Sequence, residues 1–168
     1  MKKNDDALLV IDLQTGVCLR ATKPIDHLSE LISLVNTRIQ EYADRNRPVI
    51  FVQHREEELI TDSPAWQIIP QLNTSNAYFI EKTHANSFYQ TELKQLLERL
   101  SISTIEICGA QTQYCVDTTV KFAHGLGYKV VMQSGATTTY DTEFMTASQT
   151  ISFYESIWKD RFVTFFDK

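Results

Sequence analysis

A chain of 168 residues that is 43% hydrophobic and 22% charged can fill the core of one domain, and five glycines and four prolines exclude collagen-like, low-complexity and disordered classes. Sixteen Lys and Arg against twenty-one Asp and Glu leave a net charge of −5, with no bulk attraction to phosphate backbones or anionic lipid. The expected partner is a small molecule or another protein, with no nucleic acid and no membrane.

From the N-terminus, the apolar run 7–11 predicts a buried strand. Five apolar residues are too few for a signal-peptide core or a membrane span, and nothing later approaches about twenty uncharged residues. The expected compartment is the cytoplasm, which keeps thiols reduced. Three cysteines (Cys18, Cys108, Cys115) agree with that, being odd in number with no C-x-x-C pair and no metal-type spacing. Next, Leu28, Leu31, Ile32, Val35, Ile39 and Tyr42 recur at three- and four-residue steps and predict an amphipathic helix over 26–45. A strand follows at 48–52. The stretch 55–76, holding Pro64 and Pro70, has no regular period, and long loops of this kind are commonly a pocket wall or lid. A strand at 78–80 leads to Thr91, an expected N-cap for a helix carrying Leu93, Leu96, Leu97 and Leu100. A strand at 105–108 precedes a helix over 113–124, ended by Gly125 and Gly127. A strand at 129–132, a helix carrying Phe144, Ala147, Ile151, Tyr154 and Trp158, and a strand at 162–165 complete the chain.

Short apolar strands alternating with amphipathic helices predict an α/β fold. The expected architecture is a single domain over 1–168, a three-layer α/β/α sandwich around six parallel strands, Rossmann-like in its winding. Ligands of such sheets sit beyond the carboxyl ends of the strands. Asp12 follows the first strand, Lys82 the third and Cys115 the fourth, so a carboxylate, an ammonium and a thiol project toward one end of the sheet. Taken singly, each has a plain reading: a loop hydrogen-bonder, a surface lysine, a small buried hydrophobe. Together they point to chemistry. Cys115 also falls at the start of a helix, where free N–H groups lower a thiol's pKa. Cys108 lies inside a strand and is expected to be inert, and Cys18, in a loop, is not read as a nucleophile. Phe88 is read as core and His84 as a loop residue.

The residues resemble the isochorismatase-like cysteine hydrolases, a family that includes nicotinamidases and carbamoyl-amide hydrolases. The blocks are Leu9-Val10-Ile11-Asp12-Leu13-Gln14, then Lys82 with Ser87-Phe88 and Thr91-x-Leu93, then Gly109-Ala110-Gln111-Thr112-Gln113-Tyr114-Cys115-Val116-x-Thr118-Thr119, then Gly127-Tyr128-Lys129-Val130. They span nearly the whole chain. The resemblance implies a catalytic triad of Asp12, Lys82 and Cys115, a non-proline cis peptide before Gln111, and an oxyanion hole from the backbone N–H groups of Gln111 and Cys115. It implies cleavage of a C–N bond in a small amide through a thioester, and a homodimer or larger homo-oligomer. Gln14, Trp66 and Tyr114 are candidate substrate-binding residues.

Two departures narrow the reading. Nicotinamidases of the family hold a metal with an Asp and His residues after the second strand. Here that strand leads into Val52-Gln53-His54-Arg55-Glu56, with no Asp-x-His pair, so no metal and no cofactor are expected and His54 reads as a pocket-rim or structural residue. Isochorismatases proper lack the nucleophilic cysteine, so Cys115 argues against that vinyl-ether reaction. Two rivals stay open: a magnesium-dependent phosphotransfer domain using Asp12, and a non-enzymatic thiol-sensing or binding domain. The first needs a second acidic residue at the same strand end, whereas Asp5 and Asp6 lie at the other. The second lacks an evident resolving cysteine.

Overall fold

The computed structural model describes residues 6–20 and 23–167. In chain order the elements are β1 (Asp6–Ile11), the single turn α1 (Thr15–Cys18), β2 (Leu19–Arg20), β3 (Lys23–Pro24), α2 (Leu28–Asp44), β4 (Val49–His54), β5 (Tyr78–Lys82), α3 (Leu93–Arg99), β6 (Thr104–Ala110), a π-helical turn (Thr112–Val116) running into α4 (Asp117–Gly125), β7 (Lys129–Gln133), β8 (Thr137–Thr138), α5 (Ala147–Trp158) and β9 (Val163–Phe166).

Six strands form one parallel sheet in the order β5-β4-β1-β6-β7-β9. β1 is central and almost wholly buried, as its unbroken Ala7-Leu8-Leu9-Val10-Ile11 requires of a strand covered on both faces. The chain leaves β1 in one direction through α2 to β4, and leaves β6 in the other through α4 to β7. Right-handed crossovers running in opposite directions put those helices on opposite faces. β6 carries one charged residue, Glu106, whose carboxylate takes two 2.7 Å bonds from Nε and Nη2 of Arg38 on α2. Among the described residues, no helix is long and apolar enough to cross a membrane.

The expected α/β class and parallel sheet are observed, with local differences. A seventh strand, β8, pairs with the end of β6. Its two threonines carry no apolar run, and they are held instead by hydroxyls: Thr138 Oγ1 donates to Asp26 O at 2.6 Å, and Thr112 Oγ1 bonds Thr137 Oγ1 at 3.0 Å. Phe144 lies outside the last helix and is 85% exposed. That helix begins later because Thr146 and Gln149 close a capping box. The N-cap of α3 is Glu92, without a side-chain cap bond, and not Thr91, which stands one residue earlier with its Oγ1 accepting the Leu93 N–H at 3.3 Å. The helix expected over 113–124 opens as a π-turn rather than an α-turn. Gly109 is required where it stands: its φ is +128°, and a Cβ there would lie 2.1 Å from the Ile11 carbonyl oxygen. That contact lets β6 press against β1 and sets the following turn beside Asp12.

Candidate active site

The strand order reverses between β1 and β6, and the crevice beyond their carboxyl ends is where such sheets take ligands. Asp12 is the first residue past β1, in left-handed backbone with φ 52° and its N–H donating to Val52 O at 2.9 Å. Cys115 sits in the π-turn after β6. His54 and Lys82 are the last residues of β4 and β5 and are register partners. Four chain segments thus deliver four polar side chains to one point.

At that point Lys82, its side chain fully buried, places Nζ 2.8 Å from Asp12 Oδ2 and 3.2 Å from Cys115 Sγ. His54 Nδ1 lies 3.0 Å from the same nitrogen, and the His84 carbonyl accepts from it at 3.1 Å. Asp12 Oδ1 is buried with no hydrogen-bond partner among the described residues. Burial, together with the negative charge of Asp12, pushes the Cys115 thiol up to about 12, outweighing the pull of Lys82. The thiol expected to be acidic at a helix start is therefore protonated at rest. Burial and the Lys82 charge push His54 below the ordinary histidine range, so its ring is neutral at pH 7. Glu56 Oε2 stands 3.5 Å from His54 Nε2, at the other side of the ring.

These groups open into a cavity of about 560 Å³ walled by Val17, Tyr114, Gln111 and, from the irregular segment, Glu58, Leu59 and Ala65. That segment forms a pocket wall, stitched in place by Gly16 N–H to Ala65 O at 2.7 Å and Thr15 N–H to Gln67 O at 2.9 Å. The peptide between Ala110 and Gln111 is cis. Gln111 lines the cavity with Cys115, and its side-chain oxygen accepts from Thr139 Oγ1 at 3.1 Å. Tyr114 is 55% exposed at the cavity wall, where a substrate can reach it.

Two expected substrate residues are placed otherwise. Gln14 is fully buried: its Oε1 accepts the His54 N–H at 2.7 Å, and its Nε2 donates to His54 O at 3.0 Å and Trp66 O at 2.9 Å. Its amide is used up tying β4 to the loop, with no group turned to a ligand. Replacing Gln14 by Leu orphans those backbone groups, and should lower unfolding free energy by about 2–3 kcal/mol in urea titration. A stability within about 0.5 kcal/mol of wild type would restore Gln14 as a candidate ligand-binding residue. Trp66 lines a different cavity, of about 420 Å³, with Gln53 and Phe79, whereas its neighbour Ala65 lines the one at the thiol.

Cys108 is buried with Sγ directed at Leu9 O, and burial holds its thiol well above the ordinary value. Cys18 is also buried, and burial pushes its thiol up to about 12. Phe88 packs in the core between Phe122 and Tyr128. Asp6 is paired with Arg45 and Arg47 at the far end of β1, and Asp5 lies outside the described residues. Among the described residues, the ligand-type group that includes Asp12 holds no second carboxylate of the kind magnesium needs. Asp12, His54 and Cys115 do offer ligand-type atoms within 4.8 Å of one another. The donor set does not fit a metal, however, because the Lys82 ammonium contacts all three groups and takes the place a cation would fill.

Two groups at the site leave little trace in the sequence. The contact of His54 with Lys82 follows from β4 and β5 being neighbours in register, which the chain order of strands does not reveal. The His84 carbonyl is a backbone group and leaves no residue-type signal at all.

Comparison with known proteins agrees with this architecture. Residues 6–151 match the isochorismatase domain. A crystal structure described as an isochorismatase family protein superposes with a TM-score of 0.94 at 46% identity, covering 99% of each chain. The isochorismatase family protein YwoC of Bacillus subtilis is 28% identical over 155 residues, which is 82% of this chain and 79% of that one. Nicotinamidase 3 of Arabidopsis thaliana is 28% identical over 160 residues, 84% of this chain and 77% of its own. With the family's domain matched over most of its length, and the same fold at nearly half identity, this chain belongs to the isochorismatase family of hydrolases.

Proposed function

We propose that the protein is a cysteine-dependent hydrolase of a small amide or carbamoyl compound, with Asp12 as base and acid, Lys82 as electrostatic anchor and Cys115 as nucleophile. One observation carries the reading: a fully buried lysine bridges a carboxylate and a thiol at the floor of an open cavity. Burying an ammonium and a carboxylate is costly unless they do work, and a structural pair has no need of a thiol at its edge. The similarity to a nicotinamidase supports the amide class.

The steps follow from the charges. Asp12 accepts the thiol proton, for which its unpartnered Oδ1 is available, as sulfur bonds to the carbonyl carbon. Lys82 stays paired with the carboxylate and faces the sulfur as charge moves from one to the other. The carbonyl π electrons move to oxygen, where hydrogen bonds donated by the N–H groups of Gln111 and Cys115 stabilise the charge; each such donor contributes about 3–4 kcal/mol. Collapse breaks the C–N bond, and the nitrogen leaves with the proton held by Asp12. Water then gives a proton to Asp12 and its oxygen to the thioester carbon. The C–S bond breaks, the acid departs and the thiol regains its proton. The tilt of Cys115 toward the protonated form suits this order, because the nucleophile is made only when substrate is present.

The test is a panel of primary amides, ureas and nicotinamide, with rapid quenching and mass spectrometry of the Cys115 peptide. The expected result is a hydroxylamine-sensitive acyl adduct on Cys115 that appears and decays with turnover. Hydrolysis that survives complete alkylation of Cys115 would overturn the assignment.

A further inference from the structure

Four acceptors crowd one donor at the centre of the site. Around Lys82 Nζ stand Asp12 Oδ2 at 2.8 Å, His54 Nδ1 at 3.0 Å, the His84 carbonyl at 3.1 Å and Cys115 Sγ at 3.2 Å. An ammonium has three N–H groups, so one acceptor is always left out. It is not Asp12, because a charged acceptor makes the stronger bond. The uncharged thiol sulfur is the weakest acceptor of the four. In the resting protein the three protons therefore go to Asp12, His54 and the His84 carbonyl.

We propose that His54 is a positioning residue that holds the Lys82 ammonium through Nδ1 while Cys115 is a thiol, and surrenders that N–H to the sulfur when the sulfur becomes an anion. Its place in the reaction rests on the hydrolase reading, whereas the thiol alone reports it. Of the two neutral acceptors, the His84 carbonyl is fixed by the chain and the imidazole is not. The ring lines the cavity on the side away from Lys82, with Glu56 Oε2 near Nε2. An accepting Nδ1 places the single ring proton on Nε2, directed toward that carboxylate. The charged groups facing His54 are Lys82 from β5, Asp12 from the end of β1 and Glu56 from its own loop. Burial and the Lys82 charge favour the neutral ring this arrangement needs.

The experiment compares iodoacetamide alkylation of Cys115 in wild type, His54→Leu and His54→Gln, by mass spectrometry of the Cys115 peptide at fixed pH between about 7 and 9. Leu removes the acceptor at similar volume. The third Lys82 N–H then has only the sulfur to serve, and alkylation should quicken by about tenfold. Gln retains an acceptor and should stay within about twofold of wild type. An unchanged or slower Leu variant, or equal changes in Leu and Gln, would overturn the proposal. In the wild-type protein, nitrogen NMR at neutral pH should find His54 Nδ1 unprotonated and Nε2 protonated. The opposite tautomer overturns the proposal even where the Leu variant fails to fold. Neither readout needs a substrate, so failure of the hydrolase assignment in the acyl-adduct experiment is seen separately.

Discussion

Asp12→Asn should lower amide turnover by about 10³-fold or more while making Cys115 more reactive toward iodoacetamide at the same pH. The two effects have opposite signs because Asp12 has two physical relations to the sulfur. As a base it takes the proton during attack, and Asn cannot. As a negative charge it holds the proton on the thiol, and it is the largest influence after burial in pushing Cys115 up to about 12. Asn keeps the shape and leaves the Lys82 ammonium beside the sulfur with no competing anion. A thiol that ionises more easily carries a larger thiolate fraction at every pH below its midpoint. Alkylation between about pH 7 and 9 should therefore accelerate by about tenfold or more. Wild-type turnover in this variant would remove Asp12 as base. Alkylation that slows together with turnover would show that the carboxylate creates the resting anion instead of suppressing it.

Most of the frame was legible because it depends on short-range patterns. The apolar runs at 7–11, 105–108 and 129–132 lie within β1, β6 and β7, and Asp12 and Cys115 fall where the end-of-strand rule sends them. What stayed hidden depends on which strands become neighbours and on where backbone groups point. Lys82 is the last residue of β5 and not the first of a loop, and it reaches Asp12 across the whole width of β4. Gln14 and Trp66 lie close in sequence to cavity residues, but one-residue differences in direction send Gln14 into the protein and Trp66 into another cavity. The raised Cys115 thiol was illegible for a related reason: a helix start is visible in sequence, whereas the depth of burial and the distance to a carboxylate are not.

The site is built at the expense of stability, and the second large effect measures that. Lys82→Met should slow turnover by about 10²–10³-fold, since the developing charge loses its nearest cation. Alkylation of Cys115 should slow as well, because Lys82 is the group that draws the thiol toward ionisation. That sign is opposite to Asp12→Asn, and the pair of signs separates anchor from base. Met fills the buried volume but abandons Asp12, 2% exposed and now without its ion-pair partner, at a cost of about 3–5 kcal/mol in urea denaturation. Adding Asp12→Asn to Lys82→Met removes the stranded charge. The double variant should recover about half or more of the lost stability while remaining inactive. Recovery of that kind is expected of a buried pair kept for chemistry, because the fold itself gains little from exchanging two well-hydrated ions for one salt bridge. A double variant no more stable than Lys82→Met would mean that Asp12 does not depend on Lys82 in the folded protein. The electrostatic anchor assigned to Lys82 would then have no basis.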